Sequence, residues 1–173
     1  MRLAAGIAAG ATPAVSGGLL GALVLALGPR ARIELTGSYW APRRAHLAQT
    51  AGPGADISLA AGGLRGCAVP RRGRLEVPLC LGAELGSMRA TGVAVSDLRS
   101  ARSLWLAMAP GMAVVFILRP RLAIWLGFDG LVNVVRPQFV IDGAGEVWRA
   151  SRGGIRGWLG IELRFLAGGS RRR

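Results

Sequence analysis

Apolar and polar residues alternate one by one through several long segments of this chain, and this alternation constrains the fold more than any other feature. In the clearest segment, residues 155–165, the odd positions are Ile, Leu and Phe with one Gly, and the even positions are Arg, Glu, Trp and Gly. A β-strand places successive side chains on opposite faces, so this segment should form a strand with one apolar and one polar face. A helix would scatter both sets around its circumference. The pattern therefore predicts an all-β protein.

The connections between the alternating segments differ in length in a regular order. The predicted strands cover, approximately, residues 2–10, 17–27, 31–41, 56–69, 75–90, 103–118, 121–135 and 153–165. Tight connections rich in Gly, Pro and Arg follow the second, fourth and sixth strands, whereas long loops follow the third, fifth and seventh. Outer-membrane barrels have short periplasmic turns and longer extracellular loops. The order predicts an eight-stranded antiparallel up-and-down transmembrane β-barrel over residues 1–165 and a flexible Arg-rich tail over residues 166–173.

Alternation alone does not say which face looks outward, and a soluble lipocalin-like barrel that binds an apolar ligand is the alternative. Two features favour the membrane: the mean hydropathy is +0.41, and only 18% of the residues are charged, against about 25% in soluble domains. The polar faces also carry nearly balanced charges, which would pair inside a narrow eight-stranded lumen. The predicted interior polar network consists of Arg32, Glu34, Glu76, Glu84, Asp129, Arg156, Glu162 and Arg164.

No segment reaches the roughly 20 consecutive apolar residues that a membrane-spanning helix needs. The longest apolar run, residues 104–118, is interrupted by Pro110-Gly111. A signal peptide is the alternative interpretation of the chain's start, but no small-residue cleavage site follows the apolar run that ends at Leu27. We interpret this stretch as two strands, so an export signal would lie upstream of the given chain or would have been removed.

Aromatic residues are predicted at two kinds of position. Those near predicted strand ends, where the aromatic girdles of membrane barrels lie, are Tyr39, Trp40, Trp148 and Phe165. By contrast, Trp105, Trp125 and Trp158 share the parity of the polar residues and are predicted to point inward. Ordinary core packing is the alternative for all of these aromatics.

Three segments resemble known outer-membrane barrels: residues 157–165, residues 80–86 and residues 104–107, which read GWLGIELRF, CLGAELG and LWLA. On these residues the chain, over roughly 1–165, resembles the eight-stranded OmpA/OmpX-like superfamily, and above all uncharacterised barrels of GC-rich Gram-negative bacteria such as myxobacteria. In that superfamily a terminal aromatic residue after alternating apolar residues is the sorting signal that the barrel-insertion machinery reads. The resemblance assigns this role to Phe165, eight residues before the end of the given sequence.

The resemblance also implies a location and a class of function. It implies a monomer in the bacterial outer membrane, with a structural or adhesive role that displays loops at the cell surface. Because an eight-stranded barrel is filled by its own side chains, general porin activity is not expected.

Cys67 and Cys80 flank the predicted tight turn at Gly73-Arg74. Residues that pair symmetrically about this turn have numbers that add to 147, and the two cysteine numbers do so. Directly opposed residues in an antiparallel pair are close enough for a disulfide, and the periplasm is oxidising. Two free buried thiols are the alternative. For Cys67 to face the interior with Cys80, we expect a bulge near Gly62-Gly63 that resets the strand's parity.

The only imidazole, His46, lies in the predicted loop 42–55, with Asp56 and Ser58 nearby. Some outer-membrane barrels that modify lipid A use His and Ser with an acidic partner, so such an enzyme is an alternative here. The spacing of these residues does not fix a catalytic geometry, and the chain has no GxSxG, HExxH or P-loop pattern. With no CxxC spacing either, we predict no enzymatic activity, no cofactor and no metal site.

The net charge is +13, from 22 Lys+Arg against 9 Asp+Glu, and every basic residue is Arg, which fits a GC-rich coding bias. Guanidinium groups bind phosphate bidentately, so arginines in the outward loops are predicted to contact lipopolysaccharide. These residues are Arg43, Arg44, Arg102, Arg149 and Arg152. A merely solvated surface is the alternative. Nucleic acid is not a predicted partner, because the arginines are spread over every turn and not gathered on one stripe.

Overall fold

The structure is a computed structural model that describes residues 1–46, 54–93, 100–141 and 145–165, so the predicted tail at 166–173 lies outside the described residues. No helix within these ranges combines the length and the apolar composition needed to cross a membrane. The strands are β1 (Arg2–Ala9), β2 (Ser16–Ala26), β3 (Ala31–His46), β4 (Gly54–Ala68), β5 (Arg71–Arg72), β6 (Leu75–Glu76), β7 (Leu79–Val93), β8 (Ser100–Met108), β9 (Gly111–Arg119), β10 (Leu122–Val135), β11 (Gln138–Ile141), β12 (Gly145–Arg149) and β13 (Gly153–Leu163).

These strands close into one antiparallel barrel. The sheet runs from β13 through β1, β2, β3, β4 and β7, and β10 pairs with β13 to close the ring. Both β8 and β9 pair with β7 on one side and β10 on the other, so together they form a single barrel strand. The break between them falls at Ala109-Pro110, where proline has no N–H to donate to the ladder. The predicted eight-stranded barrel is confirmed.

The two ends of the barrel differ in the length of their connections. At one end, the turn end, β2 joins β3 through residues 27–30 and β9 joins β10 through Pro120-Arg121. Between β4 and β7 the turn is extended by the β5–β6 hairpin, and β6 also pairs with β9. The chain enters β1 and leaves β13 here, where the Met1 ammonium group donates to the Leu163 carbonyl oxygen at 2.8 Å. The opposite end, the loop end, carries the longer connections, including the β11–β12 hairpin.

Apolar side chains cover the outside of the barrel. On β13, Leu159, Ile161 and Leu163 are 62%, 48% and 41% exposed, whereas Arg156 and Trp158 on the opposite face are buried. The same alternation exposes leucine, isoleucine, valine and phenylalanine side chains on the other long strands. A sheet with its apolar face outward is stable only where that face meets lipid. The fold is therefore a transmembrane β-barrel, and the soluble lipocalin-like alternative is wrong.

The predicted bulge near Gly62-Gly63 is also wrong. β4 and β7 pair in one unbroken register along their whole length, and the irregularity lies in β3 instead, between Trp40 and Arg43. Pro42 is at this point, and because it has no N–H it cannot hold a ladder hydrogen bond. Odd-numbered residues of β4 face inward throughout, so Cys67 reaches the interior without a change of parity.

Only two of the four residues predicted for the aromatic girdle lie on the outside of the barrel. Tyr39 and Phe165 are exposed on the outside, but Trp40 is buried in the lumen because it shares the parity of Glu34. Trp148 is partly buried and stacks on Phe139 of the same hairpin, with ring centroids 6.4 Å apart, so it packs within the protein. The predicted girdle positions of Trp40 and Trp148 are therefore wrong. Strand parity directs Trp40 into the lumen, and packing against Phe139 holds Trp148 within its hairpin.

Candidate functional site

Glu34 is the centre of an ion network that fills the lumen toward the turn end. Its carboxylate accepts hydrogen bonds from Arg2 Nη1 at 3.0 Å and from Arg65 Nε at 2.7 Å. Arg32 Nε lies 2.7 Å from the second oxygen. All four side chains are buried. Three guanidinium groups, from β1, β3 and β4, therefore share one carboxylate that has no access to solvent.

The network continues from Glu34 to the turn end through a second carboxylate. Arg2 Nη2 donates to Glu162 at 2.6 Å, and Arg164 lies 2.9 Å from Glu162 and 2.6 Å from Glu76. Strands β1, β3 and β13 are thereby tied to the β5–β6 hairpin beneath the barrel.

Arg65 connects the network around Glu34 to a further group of charged residues near the middle of the barrel. Its Nη1 donates to Asp129 at 3.2 Å, and the other oxygen of Asp129 accepts the indole N–H of Trp158 at 2.8 Å. Arg156 forms a two-bond pair with Glu84, at 2.7 and 2.8 Å. Such fork-shaped pairs on facing strands fix the register of the barrel wall as well as neutralising charge.

All eight residues predicted for the interior network lie in the lumen or at its turn-end mouth and contact one another. The structure adds Arg2 and Arg65, which sequence reasoning missed. The signal-peptide alternative assigns Arg2 to an export segment, whereas Arg65 already shares the parity of Cys67, which is predicted to face inward. The usable signal was strand parity, since Arg2 alternates with the exposed Leu3 and Arg65 with the exposed Leu64.

Toward the loop end the lumen is filled by aromatic and aliphatic side chains. The rings of Trp40 and Trp158 lie 4.7 Å apart, and the Arg156 guanidinium lies 5.8 Å from each. Trp105 donates its indole N–H to Asn133 at 3.1 Å. The apolar residues buried in this part of the lumen include Ile57, Leu59 and Met88. Ion pairs therefore fill the lumen toward the turn end, where the Arg2 guanidinium also lies 4.3 Å from the Trp125 ring, and mainly apolar side chains fill it toward the loop end.

Cys67 and Cys80 form a disulfide between β4 and β7, with Cα atoms 4.1 Å apart, which confirms the predicted pairing. The sulfur atoms lie near the Glu34 carboxylate. These three residues offer no cation site, because both sulfurs are in the disulfide and the carboxylate already binds three guanidinium groups.

The predicted lipopolysaccharide contacts lie at the loop end in two different states. Arg44 pairs with Asp56 at 3.1 Å and Arg149 donates to Gln138 at 2.8 Å, so these two are held within the protein. The others are exposed and form no ion pair with a described residue. Arg89 and Arg136 are also exposed and form no ion pair with a described residue. We call the five arginines with these properties the loop-end arginines: Arg43, Arg89, Arg102, Arg136 and Arg152.

Arg89 and Arg102 lie directly opposite each other on β7 and β8. Both face outward, and Arg102 is two residues beyond the exposed Leu104, so the pair lies just outside the apolar belt. Like charges placed directly opposite on a sheet repel each other. An anion between them would convert this repulsion into attraction.

The imidazole of the enzymatic alternative lies outside the described side chains. In the backbone, His46 is the last residue of β3 and pairs with Gly54. The nearby Asp56 carboxylate is paired with Arg44.

Comparison with solved structures shows the same fold. The chain is similar to a major outer membrane protein from Thermus thermophilus, with 13% identity, a TM-score of 0.64, and 95% and 99% of the two chains covered. It is similar to Neisserial surface protein A, with 11% identity, a TM-score of 0.65 and 95% of both chains covered. Ail of Yersinia pestis, in complex with the heparin analogue sucrose octasulfate, has 13% identity, a TM-score of 0.56, and 95% and 94% covered.

The sequence matches no protein-family model, and no curated protein is significantly similar to it. These three structural neighbours are named as a major outer membrane protein, a surface protein and an attachment invasion locus protein. At these identities the likeness establishes the eight-stranded outer-membrane barrel fold.

Proposed function

We propose that this protein is a monomeric barrel of the bacterial outer membrane that binds lipopolysaccharide through arginines at its loop end. The observation that carries the proposal is the separation of its charges. Among the described residues, the lumen holds five arginines and five carboxylates, which balance. The described side chains outside the lumen include 13 arginines and one carboxylate, that of Asp56, so the excess of positive charge lies outside the lumen.

The loop end offers a chemistry that suits phosphate. Each guanidinium group can donate two parallel hydrogen bonds to a phosphate, and the five loop-end arginines have no ion pair with a described residue. Arg89 and Arg102 place two such groups side by side at the edge of the apolar belt, the depth at which lipid phosphates lie. The complex of Ail with sucrose octasulfate is an example of a barrel of this fold with a polyanionic ligand.

The direct test compares two variants with the same change of net charge. Lipid A with two phosphates would be titrated onto the detergent-solubilised protein and counted by native mass spectrometry. We expect R43Q/R89Q/R102Q/R136Q/R152Q to bind lipid A at least roughly tenfold more weakly than the wild type, since each surface arginine contributes about 1 kcal/mol toward an anionic lipid surface.

The matched control is R30Q/R72Q/R74Q/R119Q/R121Q, which removes five arginines from the turn end. We expect it to bind lipid A more tightly than the loop-end variant does, because it keeps the opposed pair Arg89 and Arg102. Equal weakening in both variants, or binding that does not distinguish lipid A from its dephosphorylated form, would contradict the proposal.

We infer further that Phe165 is the sorting signal that the barrel-insertion machinery reads. Its ring is 79% exposed and follows β13 on the outward face, where a partner can reach it. Phe165→Ala should slow insertion by purified insertion machinery and leave unassisted folding in detergent unchanged. Equal slowing of both would mean that the ring serves the fold.

An all-arginine basic set fits a source among GC-rich Gram-negative bacteria.

A further inference from the structure

The turn end carries a second set of exposed arginines that the proposed function does not use. Arg30 lies in the β2–β3 turn, Arg72 and Arg74 in the β5–β6 hairpin, and Arg119 and Arg121 on either side of Pro120. We call these five residues the arginine collar. All five are exposed, and none forms an ion pair with a residue that the structure describes.

The carboxylates that the structure describes toward the turn end are all engaged by arginines outside the collar. They are Glu34, Glu76 and Glu162, and all three are buried. Each of the three turns between barrel strands at this end contributes at least one collar residue. Positive charge is therefore distributed around the rim and not concentrated in one pocket.

The collar lies at the depth of lipid headgroups. The outermost lipid-facing leucines at this end, Leu27, Leu75 and Leu118, are 54%, 40% and 43% exposed. Every collar residue is within three positions of one of them along the chain, which corresponds to at most about 10 Å of extended backbone. The headgroup layer is roughly 5 to 8 Å thick on each side of the hydrocarbon core. A guanidinium group on a flexible stem can therefore reach the phosphates directly.

We propose that the arginine collar binds the phosphate groups of anionic phospholipids in the leaflet at the turn end, the periplasmic leaflet of the outer membrane. Guanidinium forks bind phosphate bidentately, and these forks are available because the carboxylates described at this end pair with other arginines. The collar would thereby fix the depth of the barrel in the membrane from the side opposite to the lipopolysaccharide. This site does not depend on lipid A binding at the loop end.

A cell-wall polymer with carboxylates is the other anion available to a periplasmic surface. Such a polymer lies in the aqueous space, whereas the collar is held against the apolar belt by the neighbouring leucines. The depth of the collar therefore favours the phospholipid.

The experiment uses the full chain in asymmetric vesicles whose phosphatidylglycerol is confined by lipid exchange to one leaflet, in a background of phosphatidylcholine. Trypsin accessibility at each end gives the orientation of the barrel. Spin-labelled phosphatidylglycerol and phosphatidylcholine report the relative association of each lipid with the protein surface. The variants are R30Q/R72Q/R74Q/R119Q/R121Q for the collar and R43Q/R89Q/R102Q/R136Q/R152Q as the control of equal charge.

When phosphatidylglycerol is confined to the turn-end leaflet, we expect the wild type to prefer it over phosphatidylcholine by roughly fivefold. This ratio is the one expected if about one arginine is fully engaged by each bound lipid. The collar variant should show a ratio near one there, and the loop-end variant should keep the wild-type ratio. Equal loss in the two variants would overturn the proposal, because it would reflect net charge alone. An unchanged ratio in the collar variant, with loss of its binding to sedimented peptidoglycan, would assign the collar to the cell wall instead.

The lipid A titration separates the two proposals. Loss of lipid A binding in the loop-end variant with no phosphatidylglycerol preference in the wild type would leave the proposed function and remove the collar site. The reverse result would remove the loop-end site and leave the collar.

Discussion

Arginine has two different environments in this barrel, the lumen and the rims. The five lumenal arginines are buried, or nearly so, and each contacts one or more carboxylates within 4 Å. The arginines of the collar and the loop end are exposed and have no ion pair with a described residue. The same side chain therefore serves the fold in one place and is free to bind anions in the other. The difference lies in position along the wall: the lumenal arginines follow the inward parity of the barrel strands, whereas the rim arginines lie in turns, in loops or on the outward face of a strand end.

The largest expected effect is in the lumen. Glu34→Gln would leave the guanidinium groups of Arg2, Arg32 and Arg65 around a neutral amide in a closed interior. Removing one partner of a buried ion pair leaves an uncompensated charge, so we expect the free energy of unfolding to fall by about 3 to 5 kcal/mol. Urea unfolding in lipid vesicles, followed by heat-modifiable migration on unboiled gels, would measure it.

Asp56→Asn is the matched control for this prediction, because it removes one carboxylate from the half-exposed pair with Arg44. A solvent-exposed pair contributes at most about 1 kcal/mol. If the two substitutions lowered stability equally, the distinction between lumen and rim would be wrong.

The disulfide is expected to have an intermediate effect. It closes a short loop, with the cysteines 13 positions apart, and cross-links of this length stabilise a protein by up to about 3 kcal/mol through the unfolded chain. The double variant C67S/C80S should unfold at lower urea concentration than the oxidised wild type. Reductant present during unfolding should shift the wild type toward the variant and leave the variant unchanged; a shift in both would point to another cause.

The smallest expected effect on stability is at the rims. R30Q/R72Q/R74Q/R119Q/R121Q and R43Q/R89Q/R102Q/R136Q/R152Q each remove five arginines, yet exposed substitutions usually change stability by less than about 0.5 kcal/mol each. Removing the opposed pair Arg89 and Arg102 should even relieve a repulsion. We expect both variants to unfold within about 1 kcal/mol of the wild type in uncharged detergent. A large loss in either would show that its arginines are structural.

Much of the barrel wall followed from short-range patterns. Alternation on β13 and the symmetry of the turn at Gly73 predicted a two-faced strand and the opposed pair Cys67 and Cys80, because both depend only on the geometry of consecutive residues and of one hairpin. The predicted bulge at Gly62-Gly63 was wrong. The ladder tolerates glycine, whereas proline cannot donate to it, and the irregularity lies beside Pro42 of β3.

The partners within the lumen could not be predicted in the same way. Arg65 on β4 contacts Asp129 on β10, and Arg156 on β13 contacts Glu84 on β7, although β4 does not pair with β10 and β13 does not pair with β7 in the sheet. Such contacts exist only after the sheet has closed, and they depend on the tilt and stagger of the strands.

The sequence by itself determined that this chain has eight strands with two unlike faces, since the side-chain period of a strand is a property of the local backbone. Only the tertiary structure decided which face looks outward and which ions meet across the lumen. The physical reason is closure: curling the sheet one way brings its arginines and carboxylates within hydrogen-bonding distance and presents Leu159 and its neighbours to lipid.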